Sequence, residues 1–176
     1  VLKSKGASTL EGEDYWFDEA TQRLKKEDRG TYLGKFSGDD KIVTLSARGF
    51  YRMYTYDVNH HFDEDLIWIE KYQPELTLSM VYFDGESQQY FAKRFKPEEL
   101  SGKTLIIAEH ESSRIELVSS QTNPQIELIF SKVKGQQPNP EIVLLNSFTG
   151  VSAIKTKGKK LSAKKIKEDR KSTRLN

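Results

Sequence analysis

A chain of 176 residues, of which 36% are hydrophobic and 31% are charged, has room for one ordinary domain or two small ones. This composition excludes a disordered chain, which would have fewer apolar residues, and a membrane protein, which would need an apolar run of about 18 residues. Cysteine is absent, which excludes disulfides, thiol catalysis, zinc–thiolate sites and iron–sulfur clusters. We therefore expect a folded cytoplasmic protein with no membrane partner.

The formal net charge of +2 conceals an uneven distribution along the chain. Residues 1–150 contain 18 Lys and Arg against 24 Asp and Glu, whereas residues 151–176 contain 10 against 2. A cationic end on an acidic body predicts a polyanionic partner for that end. The alternative is a solvated tail that binds nothing.

The first predicted elements in chain order are a short helix and a β-hairpin. Helix signals are weak, and residues 18–24 offer at most one or two turns. The strongest local pattern is the alternation of apolar and polar side chains in residues 41–46 and 50–56. The three residues between these strands predict a turn in which Gly49 takes a positive φ.

A second hairpin repeats this plan. Its strands are predicted at residues 78–83 and 89–95, around Asp84-Gly85, a pair that favours a tight turn. Residues 66–69 predict a further short strand between the two hairpins. The similar pattern of the two hairpins indicates an internal repeat.

Short strands continue beyond the second hairpin. They are predicted at residues 104–108, 114–118, 125–130, 141–145 and 151–155. About ten short strands separated by turn signals predict an all-β fold. Because one small sheet cannot bury its face alone, the similar hairpins predict repeated sheet units that pack on one another, as in propeller-like folds.

Side chains that could carry catalysis are few. The histidines are His60, His61 and His110, and the adjacent pair before Asp63 lacks the spacing of a metal site. The sequence contains neither a Gly-x-Ser-x-Gly nucleophile motif nor a phosphate-binding glycine loop. We predict no catalytic residue and no metal site. The alternative, an unrecognised hydrolase, would need two carboxylates within about 5–10 Å of each other.

The basic side chains are the best candidates for a binding site. If the hairpins stack, cations at equivalent strand positions form a track along one rim, and such a track binds phosphates without reading sequence. The alternative is that lysines at strand edges only prevent aggregation between sheets. The predicted phosphate contacts are Lys93, Arg94, Lys132, Lys134, Lys155, Lys157, Lys159, Lys160, Arg48 and Arg52.

Several segments resemble one known family in their order and spacing. They include Tyr15-Trp16-Phe17-Asp18, Arg29-Gly30-Thr31-Tyr32-Leu33-Gly34-Lys35-Phe36, Ile67-Trp68-Ile69-Glu70-Lys71-Tyr72, Tyr90-Phe91-Ala92-Lys93-Arg94-Phe95 and the stretch 150–161. Together they span residues 8 to 165. They resemble the C-terminal domain of the A subunit of bacterial type IIA DNA topoisomerases, of the topoisomerase IV or gyrase-like type found in Bacteroidetes.

This resemblance implies a β-pinwheel, a propeller-like arrangement of repeated four-stranded blades, here an incomplete one of three to four blades. We expect residues 1–30 to lead into the first blade and residues 31–160 to form the blades. Residues 161–176 are too charged to pack, which predicts a basic, disordered tail. Gyrase A subunits carry a basic box with a glycine pair that supports tight DNA wrapping. The nearest string here, residues 22–30, lacks that pair, so the resemblance favours a topoisomerase IV-like role.

The function implied by the resemblance is that of an accessory domain. Such a domain binds and bends duplex DNA without sequence specificity and supports strand passage, the change of DNA topology. The catalytic Tyr would lie elsewhere in the holoenzyme, as would ATP and Mg²⁺, so no cofactor is expected in this chain. The expected partners are duplex DNA, the B subunit and the rest of the A subunit, at the nucleoid in the cytoplasm. The alternative is a β-blade module that binds proteins and has no nucleic-acid role.

Overall fold

A computed structural model describes residues 12–167 and the backbone of residues 173–175. The described residues form short strands and one helical turn, so the predicted all-β class is confirmed. The strands are β1 (Glu13–Asp18), β2 (Arg23–Lys25), β3 (Thr31–Phe36), β4 (Ile42–Ser46), β5 (Phe50–Tyr54), β6 (Leu66–Lys71), β7 (Leu78–Asp84), β8 (Gln89–Phe95), β9 (Thr104–Leu105), β10 (Arg114–Ser119), β11 (Gln125–Leu128), β12 (Glu141–Leu144), β13 (Val151–Ser152), β14 (Lys159–Lys160) and β15 (Thr173–Leu175), and the helical turn is α1 (Leu145–Phe148). The helical turn α1 has four residues, and no membrane-spanning helix is found among the described residues.

The strands form four sheets that share one pairing pattern. The orders are β2-β1-β3, β6-β4-β5-β9, β10-β7-β8-β13 with β14 also pairing β8, and β12-β11-β15. In each sheet two strands form an antiparallel hairpin, and a later strand pairs with the first strand of that hairpin. This recurrence agrees with repeated sheet units. The predicted pinwheel of four-stranded blades is not confirmed, because two of the sheets have three strands and none closes within the described residues.

The chain divides into two compact units that differ in charge. The first unit comprises residues 1–46, 51–73 and 99–104, and the second comprises residues 47–50, 74–98 and 105–176. By sequence the first contains 11 Lys and Arg against 15 Asp and Glu, and the second 17 against 11. The excess of positive charge therefore belongs to the second unit.

Each unit has its own hydrophobic core. The core of the first unit consists of Tyr15, Phe17, Leu24, Phe36, Ile42 and Phe62. The core of the second consists of Val81, Phe83, Tyr90, Ala92, Ile126, Leu128, Phe130, Leu145, Leu161 and Ile166. Burial of these apolar side chains is the main favourable term in the stability of each unit.

The cores include residues from both ends of the described chain. Leu161 and Ile166 fall in the segment that the sequence analysis expects to be a disordered tail, yet both are buried. Residues 161–167 therefore belong to the packed second unit, and its core continues past residue 160. At the other end, the expected lead-in segment 1–30 contributes β1 and β2 to a sheet of the first unit.

Both predicted hairpins are present. The first pairs β4 with β5, and the second pairs β7 with β8. Gly49 has a φ of 93°, as its place in the first turn predicts. Every residue of β4 and β7 is buried, so polar side chains on these strands also find partners. For example, Thr44 Oγ1 donates a hydrogen bond to the Arg52 carbonyl at 3.0 Å.

Several predicted strands are shorter than the sequence indicates. β9 ends at Leu105, and the apolar residues Ile106 and Ile107 that follow are buried outside the strand. Similarly, β11 ends at Leu128, and Leu145 begins α1 instead of extending β12. An apolar run predicts burial, but a strand also needs a neighbouring edge to hydrogen-bond, which the run alone does not indicate.

Two hairpin turns share a geometry that the sequence analysis missed. The first strands of these hairpins end at Asp18 and Asp84, and each carboxylate accepts the backbone N–H two residues further on at 3.0 Å. The N–H four residues on, from Gln22 or Gln88, donates to the same aspartate's carbonyl at 2.8 Å, and both glutamines have a positive φ. These loops replace the predicted short helix and the predicted two-residue turn.

The two aspartates allow a matched test of this turn. Asp84 also accepts a hydrogen bond from the Ser87 hydroxyl at 2.9 Å, and its carboxylate is more deeply buried than that of Asp18. We expect Asp84→Ala to lower the free energy of unfolding by about 1–3 kcal/mol, because the turn loses its hydrogen bonds to a charged acceptor. Asp18→Ala should lower the free energy of unfolding by a smaller amount. Urea denaturation of both variants measures the difference, and an equal or larger loss for Asp18→Ala would contradict this account.

Candidate nucleic-acid interface

A group of four exposed cations lies on residues 155–160, which we call the lysine segment. Its four lysines, Lys155, Lys157, Lys159 and Lys160, were all predicted to contact phosphate, and all are exposed. Before it, β13 pairs with β8 in parallel, and within it β14 pairs with β8 antiparallel. Immediately after it, the Leu161 N–H donates to the Tyr90 carbonyl at 2.9 Å. Backbone pairing therefore fixes this segment on the edge of β8.

Gly158 allows the lysine segment to approach β8 this closely. Its φ is 93°, a conformation that costs little only for glycine. A Cβ at this position would lie 2.9 Å from Lys93 Cβ and closer still to the Ala92 carbonyl oxygen. Both the backbone angle and the space therefore require glycine at this position.

Lys93 holds the start of the lysine segment and the residue just before it. Its side chain is 1% exposed, and its ammonium donates to the carbonyl oxygens of Ile106, of Ile154 at 2.7 Å and of Thr156 at 2.9 Å. Three acceptors match the three N–H groups of a protonated lysine. Burial lowers the pKa of Lys93 to about 8, so at pH 7 the ammonium form predominates. Because this ammonium is enclosed, we remove Lys93 from the predicted phosphate contacts.

Two side chains of β7 contact the segment at Lys157. The Tyr82 hydroxyl donates to the Lys157 carbonyl at 2.6 Å, and a carboxylate oxygen of Asp84 lies 3.5 Å from Lys157 Nζ. Burial alone would raise the pKa of Asp84, but hydrogen bonds from Ser87 and from backbone N–H groups, with Lys157 nearby, hold that pKa below its usual value. Burial, with a smaller contribution from Asp84, raises the pKa of Tyr82, so its hydroxyl remains a donor.

Aromatic rings contact three of the exposed ammonium groups in the second unit. The distances from Nζ to the ring centroid are 4.9 Å for Lys157 and Phe91, 4.4 Å for Lys159 and Phe148, and 5.3 Å for Lys164 and Phe130. Each such contact contributes about 0.5–1 kcal/mol at an exposed site. The rings therefore restrict where these ammonium groups lie while leaving the side chains exposed.

The remaining predicted cations are spread over other parts of the two units. Arg94 on β8 is half-buried, and its guanidinium donates to the Thr149 carbonyl at 3.1 Å. Lys132 and Lys134 are exposed around a tight turn after β11. Arg48 is exposed in the β4–β5 turn, which groups with the second unit. Arg52 belongs to the first unit and lies 4.8 Å from the ring centroid of Tyr54.

Three exposed lysines of the second unit are not among the predicted phosphate contacts. Lys164, Lys165 and Lys167 are exposed and lie in the segment that was expected to be a disordered tail. Burial of Leu161 and Ile166 fixes this segment in the core, and the Lys167 N–H donates to the Ile129 carbonyl at 2.9 Å. The two large apolar residues of this basic stretch, Leu161 and Ile166, were the available signal.

His60, one of the histidines considered as a metal ligand, lies among aromatic rings of the first unit. His60 packs on the rings of Tyr54 and Phe62, with centroids 4.3 and 4.8 Å away. Burial, together with the charge of Arg52, lowers the pKa of His60, so the neutral ring is favoured. Among residues 12–167, no cluster of three or more histidine, aspartate or glutamate side chains could hold a metal ion.

Comparison with known proteins identifies a family. A family model described as the topoisomerase C-terminal domain of Bacteroidota matches residues 23–173, which is most of the chain. No curated protein and no solved structure matches this chain. The family match therefore carries the assignment.

The buried ammonium makes a pH-dependent prediction. We expect Lys93→Met to lower the free energy of unfolding at pH 7 by about 1–3 kcal/mol, because three carbonyls lose their donor. The unfolded chain keeps the lysine proton up to about pH 10.4, whereas the folded protein releases it from about pH 8. Unfolding therefore takes up a proton between these values, and the stability of the wild type relative to the variant should rise with pH there.

Urea denaturation of both proteins at pH 7 and at several values up to pH 10 checks this expectation. Subtracting the variant removes the titration of all other groups. A difference in unfolding free energy that is constant or falls over this range would contradict the lowered pKa of Lys93.

Proposed function

We propose that this chain, which belongs to the topoisomerase C-terminal domain family of Bacteroidota, is the DNA-binding accessory domain of a type IIA topoisomerase A subunit. In this role it binds and bends duplex DNA without sequence specificity and supports strand passage by the rest of the enzyme. The observation that carries the proposal is the lysine segment, four exposed lysines fixed on the edge of β8 in a unit of net positive charge.

The fixed backbone of the lysine segment favours phosphate binding. A flexible basic tail must lose conformational freedom when it binds, and this cost lowers its affinity. Here strand pairing, Gly158 and the buried ammonium of Lys93 have already ordered the backbone. Binding therefore has to order only the ends of the lysine side chains.

The chemistry of the surface supports binding without sequence specificity. Lysine ammonium groups bind phosphate oxygens and release counterions, and these contacts carry no information about the bases. Besides the lysine segment, we assign phosphate contacts to Arg94 and to the newly found Lys164 and Lys165, all in the second unit. Arg48 remains a candidate in that unit, and Arg52 remains one in the first.

The four recurring sheets support a finer proposal about the fold. Each has a hairpin whose first strand pairs with a later strand, and in the two largest sheets another strand also pairs with the second hairpin strand. We propose that these sheets are the blades of an open pinwheel, with the sheets of three strands as incomplete blades.

The catalytic steps would lie outside this domain. In this proposal the Tyr that cleaves DNA belongs to the remainder of the A subunit, and ATP is bound by the B subunit. Mg²⁺ would also be held outside this chain. The partners would then be duplex DNA and these other parts of the holoenzyme, at the nucleoid in the cytoplasm. The missing glycine pair favours a topoisomerase IV-like parent over a gyrase that wraps DNA tightly.

A protein-binding role is the second candidate, and a feature of the first unit favours it. A cavity of about 470 Å³ opens between β3 and β6, lined by the exposed apolar residues Tyr32 and Ile67 together with Glu19. The unit carries net negative charge. A protein partner with basic and apolar side chains fits this surface better than DNA does.

Salt-dependent DNA binding tests the first proposal. We expect the wild-type chain to bind a duplex with an affinity that falls steeply as salt rises. Replacing all four lysines of the lysine segment by Glu should reduce the magnitude of the slope of log affinity against log salt by about 3–4, roughly one per lost phosphate contact. Fluorescence anisotropy with duplexes of two unrelated sequences measures both slope and specificity.

A matched variant controls for the change in overall charge. The control replaces four cations of the first unit that are not assigned to DNA by Glu, namely Lys25, Lys26, Arg29 and Lys35. This control should change the slope much less. Equal slopes for both reversed variants, or wild-type binding that does not depend on salt, would contradict the proposed function.

A further inference from the structure

A rigid and fully exposed turn projects from the second unit between β11 and β12. All six residues from Lys132 to Gln137 are exposed. At its end the N–H groups of Val133 and Gln136 each donate to the other residue's carbonyl, at 2.9 and 3.0 Å. The two residues between them, Lys134 and Gly135, have φ values of 52° and 77°. Two consecutive positive φ values within a closed pair of this kind indicate a type I′ hairpin turn.

The base of this turn is held firmly. The Gln137 side-chain amide donates to the Phe130 carbonyl at 2.7 Å, and Phe130 is buried and bridges to Ile166. The Ser131 N–H donates to the Lys165 carbonyl at 2.9 Å. The turn is therefore a fixed projection, and its base lies beside the basic segment 164–167.

The side chains of the turn combine an apolar residue with cations. Val133 is 59% exposed, the highest value among the large hydrophobic residues of the described chain that are exposed. Lys132 and Lys134 flank it in sequence, and Gln136 pairs with it across the turn. Cross-strand partners project to the same face, so an apolar group and an amide lie side by side, and the sequence places one lysine before the valine and one after it.

This combination fits the minor groove of duplex DNA. Proteins that bend DNA from the minor groove insert an apolar side chain at a base step, read the groove floor with amides and neutralise the flanking phosphates with Lys or Arg. We propose that Val133 is such a wedge, with Gln136 in the groove and Lys132 and Lys134 on the two phosphate backbones. This inference rests on the proposed function and specifies how the domain bends DNA.

The proposal also predicts which DNA is bent most easily. Inserting a side chain requires partial unstacking of one base step, and pyrimidine–purine steps such as TA unstack at the lowest cost. The wedge therefore gives a mild preference for DNA with flexible base steps. This preference does not require hydrogen bonds that distinguish one base from another. The phosphate contacts of the lysine segment do not produce such a preference.

The experiment compares the full chain with three single variants. The DNA is a duplex of about 30 base pairs with one central TA step, labelled at both ends so that energy transfer reports the bend. Val133→Ser removes the apolar wedge, and Val133→Ile keeps it. Val151→Ser is the matched control, because Val151 is 51% exposed in the same unit but lies outside the turn. Anisotropy gives the affinity, and 2-aminopurine at the central step reports unstacking.

We expect Val133→Ser to lose the bend and the unstacking signal and to bind about tenfold more weakly, which corresponds to losing one buried valine contact. Val133→Ile and Val151→Ser should behave like the wild type, and the minor-groove ligand netropsin should compete with the turn. If the wild type binds and bends DNA but Val133→Ser does so equally well, the wedge is wrong while the proposed function stands. If the wild type does not bind the duplex, both fail.

Discussion

The candidate interface depends on one buried charge. The ammonium of Lys93 lies in the interior of the second unit, where an unpaired charge would be very costly. Three backbone carbonyls satisfy it, and two of them belong to Ile154, just before the lysine segment, and to Thr156 within it. The need to pair this charge therefore holds these residues against β8. The backbone of the exposed lysines in this segment is fixed as a consequence.

The contacts around this charge act in the same direction. Gly158 removes the Cβ that would separate the chain from β8, and the Tyr82 hydroxyl and the Asp84 carboxylate hold Lys157 from the other strand of the hairpin. Beyond the segment, Leu161 and Ile166 continue the attachment through the core. The lysine segment and the basic residues that follow it are therefore part of a folded unit. Without this packing they would form a mobile basic tail.

Sequence patterns predicted much of the fold because local physics determines it. Alternation and turn residues placed both central hairpins, and the resemblance of short segments identified the family that the family model also matches. The alternation of Ile126 and Leu128 likewise placed β11. Hairpins and alternating strands depend on residues that are close together in the chain, so their pattern can be read from a single sequence.

The errors arose where distant residues decide the outcome. Lys93 looks like a surface cation on an alternating strand, and only carbonyls 13 to 63 residues away make it a core residue. The strongly basic composition after residue 160 concealed the two buried residues that fix Lys164 and Lys165. The turn shared by residues 18–22 and 84–88 was also not predicted. The residues between the aspartate and the glutamine differ in the two loops, although the backbone conformation is the same.

The central claim is that the lysine segment is ordered on β8 before any DNA binds, and amide hydrogen exchange of the free chain measures this directly. The informative amide is that of Leu161, which donates to Tyr90 just after the segment. The account predicts slow exchange at this amide, comparable to that of amides within the β7–β8 hairpin. Exchange as fast as in an unstructured peptide would show that the segment is a free tail and would contradict the account.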